Sequence, residues 1–293
     1  MPQLHPIIPV LRNRPLSWGV LIAVGLVVAP ELTPFDPNDL GAIELRDARR
    51  PPWFFAGSDA RFPLGTDRQG RDLLSALAHG ARTSVAIALT ATLLAAVVGT
   101  GLGLLSSTGA TWRRTLIGRA GELQLAYPAV VAALLIHAAV TALFPGGMPD
   151  ATTGFAMVVS AIALGSWPEF AAVARAKAAT LWRQDYVTSA VAIGASDHAI
   201  LWQHIWPGVR SAVAALALAV AVRAIAIEAT LSYLGTGLPA AHPTLGGLIR
   251  TGQPGLLSGH WWMAGIPILV LIGLCLGFAS LASTAQLDRQ ASA

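Results

Sequence analysis

Long apolar runs separated by polar stretches set the pattern of this chain. Six runs stand out, at about residues 16–35, 85–106, 123–144, 155–173, 213–234 and 262–281. A helix needs roughly 20 apolar residues to cross the hydrocarbon core of a bilayer, so the pattern predicts an all-α membrane protein with six transmembrane helices. Pro30 and Glu31 shorten the first run. Its alternative reading is a cleaved signal peptide, because Arg12 and Arg14 precede an apolar stretch ending near Ala29. That stretch is longer than a usual signal core and no small-x-small site follows it, which favours a retained span.

The polar segment 185–208, DYVTSAVAIGASDHAILWQHIWPG, lies between the fourth and fifth runs and reads as two short helices. The first ends at Gly194, since glycine accepts the left-handed backbone of a helix C-terminus without a steric penalty. Ser196 is a good N-cap for the second, with Asp197 in the first turn where the helix dipole favours negative charge. Ile200, Leu201, His204 and Ile205 share one face of that helix, and Pro207 is expected to break the ladder ahead of the next run. Ile193, Ile200, Leu201 and Ile205 form the expected apolar face of the whole segment. The other sizeable polar stretch, 36–82, begins as an extended loop over 36–52. LGTDRQGRD then predicts a turn followed by Thr66 or Asp67 capping a short amphipathic helix, with Leu73, Leu74 and Leu77 on one face.

Composition agrees with a bilayer protein. The 293 residues are 54% hydrophobic and only 12% charged, with a mean hydropathy of +0.61, whereas roughly a quarter of the residues of a soluble domain are charged. The net charge of +4 comes from arginine, Lys177 being the only lysine, and no basic run points to nucleic acid. Cys275 is the only cysteine, which excludes an intramolecular disulfide or a cysteine metal cluster. Arginine placement gives orientation. Arg12 and Arg14, then Arg113, Arg114 and Arg119, then Arg175, Lys177, Arg183 and Arg210 flank alternate runs, which puts those loops, both termini and the 185–208 segment in the cytosol. The stretch 36–82 mixes seven arginines with seven acids and carries no side preference.

At membrane depth, Gly99, Gly101 and Gly103 with Thr100 form a small-residue stripe that lets another helix approach closely. Pro128 and Pro168 are expected to kink the third and fourth runs. Arg223 is the most unusual residue, because an unpaired charge in mid-bilayer costs at least ~2.5 kcal/mol even on the lenient insertion scale. Glu228 is five residues on, about 140° around the helix, so the two do not make a good pair. His137 lies in the third run. Arg223, Glu228 and His137 are the candidates for a pathway or gate. A phosphate-binding loop needs Gly-Lys before Ser or Thr, yet Lys177 lies between two alanines. No nucleophile elbow, metalloprotease helix or acid pair is present either, so catalytic and metal-ligating residues are expected to be absent.

The segment 185–208 resembles the EAA cytoplasmic loop of ABC importer permeases. Ser189 and Ala190 stand at the two alanine places, Gly194 at the glycine, Ile205 at the isoleucine and Pro207 at the proline; Thr188 departs from the usual Glu and Trp206 from the usual Leu. Four further segments are similar to the second, C-type permease subunit of dipeptide, oligopeptide and nickel importers. They are PLGTDRQGRDLLSALAHGARTS from Pro63, SWPEFAAVARAKAATLWRQDYV from Ser166, EATLSYLGTGLPAAHPTLG from Glu228 and WWMAGIP from Trp261. Glu228 falls on the glutamate of the family's Glu-Ala-x-Leu-Ser-Phe-Leu-Gly motif, with Tyr233 for Phe.

The resemblance implies a type I ABC importer-like fold with an EAA-type coupling helix between helices 4 and 5. Tyr186, Ser189, Ala190, Gly194, Ala195, Ser196, Asp197, Ile205 and Pro207 would then couple to an ATPase. Partners implied are a homologous second permease subunit, two cytosolic ATPase subunits that bind ATP and Mg, an extracytoplasmic substrate-binding protein and the lipid bilayer. No cofactor is expected in this chain. The organisation expected is a cytoplasmic N-terminus (1–15), a first span (16–35), an extracytoplasmic loop with an elbow helix (36–82), a permease core (83–283) with the coupling loop at 174–212, and a cytoplasmic tail (284–293). The implied location is the bacterial inner membrane. Small peptides, nickel or a metal chelate, and opine-like or sugar-like solutes all fit as cargo. A stand-alone secondary transporter or channel is the competing class, disfavoured by the absence of an internal repeat.

Overall fold

The computed structural model describes residues 25, 29–33, 35, 44–108, 111–142, 150–239 and 241–292, the last ten of these by their backbone. Nine α-helices carry the described chain: α1 Leu73–Ser107, α2 Thr111–Leu125, α3 Ala129–Thr141, α4 Ala151–Leu181, α5 Asp185–Ala192, α6 Asp197–Ile200, α7 Trp206–Tyr233, α8 Leu245–Leu257 and α9 Trp262–Ser292. Among the described residues the β pairing is one isolated bridge, Thr66 with Asp72. Four helices are long and apolar enough to span a membrane, and α2 with α3 makes a fifth if that pair, bent by 103°, counts as one span. The first predicted run, 16–35, lies outside the described residues apart from a few positions, as do Arg12 and Arg14.

Two sequence expectations change here. The third run was expected as one kinked span over 123–144, but α2 begins at Thr111 and the chain turns between Leu125 and Ala129. Pro128 is the reason, since it lacks an N–H for the ladder and excludes the α region for the residue before it. The expected short elbow helix capped by Thr66 or Asp67 is instead the first part of α1. Asp72 is the cap, its Oδ2 accepting from Ser75 N at 2.9 Å and Ser75 Oγ at 2.5 Å. No helix breaker follows, so the helix runs 35 residues without interruption.

The chain divides into two compact units, Ser84–His242 on one hand and Met1–Thr83 with Pro243–Ala293 on the other. In the first, α1 packs on α4 through Gly99 and Gly103. A Cβ on Gly103 would lie 2.5 Å from Ala171 O and 2.9 Å from Ala174 Cβ, and one on Gly99 would collide with Trp167 O. Gly101, expected in the same stripe, points into open space. The contact is therefore a four-residue glycine pair, the spacing that brings two residues to one helix face.

Pro168 sits inside α4 without ending it. Its missing N–H would leave Leu164 O unpaired in an apolar setting. Gln124 of α2 supplies the substitute. Its Nε2 donates to Leu164 O, and its Oε1 accepts from Trp167 Nε1 at 3.0 Å.

In the second unit, Asp47 is the buried centre of the loop before α1. Arg61 Nη2 lies 3.1 Å and Arg50 Nη2 3.5 Å from its carboxylate, and Thr66 Oγ1 donates to its carbonyl at 2.5 Å. Arg61 also holds Asp59 at 2.8 Å, and its hydrogen bonds lower the Asp59 carboxyl from 3.8 to about 2. The helix α8 was not foreseen from sequence. Thr244 caps it, accepting from Gly247 N at 3.1 Å, and Gly252 lies so close to the Met263 backbone that no side chain fits there.

Candidate functional site

Segment 182–209 builds a small projection at one end of the Ser84–His242 unit. α5 closes with a paired C-terminal motif, Gly194 N donating to Val191 O at 3.0 Å and Ala195 N to Ala190 O at 3.1 Å. This motif needs a left-handed residue at Gly194, and its φ is +87°. Ser196 then caps α6, its Oγ accepting from Ala199 N at 3.3 Å. These are the two capped helices read from the sequence.

The projection is fastened from within. Val187, Ala190, Ile200, Ile205 and Val209 are buried in one apolar cluster with Ala174 and Ala178 of α4. Ile200 and Ile205 are 0% exposed, and full burial of such a side chain contributes about 1.5–3 kcal/mol. The expected single apolar face is thus split. Ile200 and Ile205 face the bundle, Leu201 is partly buried against it, and Ile193 is 87% exposed, with Val191 and Tyr186 exposed as well. The reason is the left-handed turn at Gly194, which ends the first helix and separates its face from that of the second.

Pro207 also departs from expectation. It lies in the first turn of α7 and does not stop the helix. The chain reaches it through a π-helical turn, Leu201–Ile205, with Trp206 N donating to Leu201 O. The wider turn is where the regular ladder is interrupted, so the proline's missing donor is accommodated without a break. Ser189, Gly194, Ser196, Asp197 and Pro207 are exposed, Ala195 is half-buried, and Ala190 and Ile205 are buried.

The three depth candidates separate. His137 is buried on α3, its Nδ1 without a hydrogen-bond partner among the described residues. Glu228 is fully buried within the bundle, Ser232 Oγ donating to its Oε1 at 2.6 Å while Oε2 has no partner there. Arg223 reaches an open face and pairs with Glu169 of α4, Nη2 to Oε1 at 2.5 Å. Glu169 was missed in the sequence, although a carboxylate inside the fourth apolar run was there to be seen beside Pro168. It supplies within the same chain the partner that Glu228 is badly placed to give Arg223. Among the described residues no group of three or more His, Cys, Asp or Glu side chains could hold a metal ion.

The sequence and the helical fold have counterparts in known proteins. The family model described as "Binding-protein-dependent transport system inner membrane component" matches residues 99–291. The chain belongs to that family. The permease is 31% identical over 258 residues to the "Di/tripeptide transport system permease protein DppC" of Pseudomonas aeruginosa, covering 88% of this chain and 80% of that one. It is 30% identical over 263 residues to the "Dipeptide transport system permease protein DppC" of Haemophilus influenzae, covering 90% and 84%. A "Putative peptide transport system permease protein" of Brucella abortus is 31% identical over 276 residues, covering 93% and 84%. A crystal structure of an amino acid ABC transporter with histidines superposes with a TM-score of 0.51 at 17% identity, covering 73% of this chain and 94% of that chain, a likeness of fold. The permease is a transmembrane subunit of an ABC importer and not itself an enzyme; ATP is hydrolysed by partner subunits. The competing class of stand-alone secondary transporter gives way to this membership.

Proposed function

We propose that the permease forms half of the translocation pathway for small peptides, and that its 184–207 projection docks on a cytosolic ATPase subunit. The cargo reading rests on the relatives, whose names specify di- and tripeptides or peptides; nickel, metal chelates, opines and sugars have no such support. The coupling reading rests on one observation: a polar loop holds itself together with buried Ile200 and Ile205 while leaving Tyr186, Val191 and Ile193 exposed. Exposed apolar side chains rimmed by Asp185, Thr188, Ser189 and Asp197 fit a protein partner.

In this reading Tyr186, Ser189, Gly194, Ala195, Ser196, Asp197 and Pro207 form the docked surface, with Ala190 and Ile205 holding it rigid. A homologous second permease subunit, two ATPases and an extracytoplasmic binding protein complete the complex in the inner membrane. The first run adds a sixth span, and both termini and the projection face the cytosol, as the arginine placement requires. Closure of the ATPases on ATP rocks the spans, because a packed projection transmits displacement as a rigid body. Of the depth candidates, Arg223 serves the pathway, while Glu228 and His137 act from inside the bundle that lines it.

The test is peptide uptake by the reconstituted complex with residues 195–198 deleted. Membrane insertion is expected to be normal and uptake abolished; normal uptake by the deletion would refute the docking role.

A further inference from the structure

The charged pair Arg223–Glu169 occupies a face of the Ser84–His242 unit that is composed unlike a lipid-facing one. The accessible stripe of α7 around it runs Ala219, Arg223, Ala226, Thr230 and Tyr233, spaced four, three, four and three residues, so that all five share one side of the helix. Small side chains, a hydroxyl, a phenol and a guanidinium make up this stripe. The exposed side of α1 in the same unit carries Leu89, Leu93 and Val97 instead, the composition that hydrocarbon accepts.

Depth makes the contrast physical. Arg223 lies 13 residues from Arg210 at the basic end of α7, about 20 Å along the axis, and Glu169 lies 12 residues from Leu181 at the corresponding end of α4, about 18 Å. Both are within the span, yet their side chains stay 41% and 24% accessible. An ionised pair left open there faces water or protein rather than lipid. The pairing is also incomplete. One guanidinium nitrogen contacts one carboxylate oxygen, and Arg223 Nε has no partner among the described residues, although an arginine fork matches a carboxylate with two parallel bonds.

We propose that Arg223 and Glu169 line the aqueous solute path and take the two ends of a zwitterionic short peptide, the guanidinium its carboxylate and Glu169 its ammonium group. In this exchange each charge of the protein trades its partner for another of opposite sign. One ion pair and a hydrated zwitterion become two ion pairs, with no charge left alone. Ala219 and Ala226 leave room for the backbone between those ends. The assignment rests on the peptide-importer reading and supplies its specificity-determining residues.

The assembled transporter in proteoliposomes, with ATPases and loaded binding protein, tests this in two arms. In a Cys275→Ser background, Ala226→Cys, which leaves the ion pair intact on the same exposed stripe, is expected to react with a membrane-impermeant thiol reagent, and to react at least threefold more slowly during dipeptide transport. Absence of reaction means the face is covered by protein and overturns the proposal. In the second arm, Arg223→Gln and Glu169→Gln are expected to lower dipeptide uptake at least tenfold while the variant complexes assemble with their ATPases in the same yield as the parent. The exchanged double variant Arg223→Glu with Glu169→Arg is expected to stay low. Wild-type uptake by either single variant, or full recovery in the exchanged one, assigns the pair a purely structural role and overturns the proposal. If the unaltered complex carries no peptide, the cargo reading fails by itself, and the labelling arm still reports whether the path is aqueous.

Discussion

Two isoleucines on the projection separate docking from folding. Ile193 is 87% exposed and Ile200 is 0% exposed, seven residues apart. If an ATPase buries Ile193, the gain is that of a whole isoleucine side chain, about 1.5–3 kcal/mol. Ile193→Ala removes most of it, about 2 kcal/mol, which is roughly a 30-fold weaker association. The permease by itself loses nothing comparable, because a surface truncation away from packing stays within about 0.5 kcal/mol. Ile200→Ala acts in the opposite place. It leaves a cavity among Val187, Ile205 and Val209 and is expected to cost about 2–5 kcal/mol of stability with or without a partner. Purified permease variants are compared by thermal unfolding in detergent and by titration with the ATPase subunit. The reasoning is refuted if Ile193→Ala lowers the unfolding temperature as much as Ile200→Ala, or if it binds the ATPase as tightly as the parent chain.

Gly194→Ala keeps the space, since nothing lies within 4 Å of the added carbon, but forces a side chain into the left-handed region at about 1–2 kcal/mol; uptake is expected to fall several-fold with normal insertion, measured by transport and membrane fractionation. Gly103→Val meets Ala171 O and Ala174 Cβ and is expected to destabilise by about 1–3 kcal/mol or more, whereas Gly101→Val in open space is neutral; thermal unfolding of the two separates them. Gln124→Leu removes the hydrogen bonds to Leu164 O and Trp167 Nε1, at about 0.5–1.5 kcal/mol for each bond, and the same assay reads it. Asp59 is an acid whose folded-state pKa, about 2, lies below its ordinary 3.8. Its support for the loop is complete above pH 4 and is lost as pH falls from about 4 to 2; hydrogen exchange of residues 44–72 is expected to stay flat from pH 8 to 4 once corrected for intrinsic rate, and protection should drop below that.

Much of this was legible in the residues. Apolar length alone located α1, α4, α7 and α9, because nothing but a helix satisfies its own backbone in lipid. Gly194 and Ser196 announced the two caps, since each cap depends on a single residue's local chemistry. What failed to show was tertiary. The opposite facing of Ile193 and Ile200 depends on the turn between them, and the Arg223–Glu169 pair joins residues 54 apart. The break at Pro128 was legible as a kink but not as a 103° bend, because its size follows from how α2 and α3 each pack on α4. α8 escaped notice because glycines and a proline at 254 disfavour helix, and the close approach of Met263 to Gly252 is a tertiary contact.

The π-helical link between α6 and α7 makes a single rod of 37 residues, Asp197–Tyr233, about 55 Å long. Handle and shaft are thus one piece, and there is no slack for a pull at the handle to take up. The extra residue in the five-residue turn offsets the angular phase of handle and shaft by about 100°. A displacement of α6 would reach the Arg223 stripe of α7 through unbroken helix, whereas the non-helical joints lie before α5 and at the Gly194 turn.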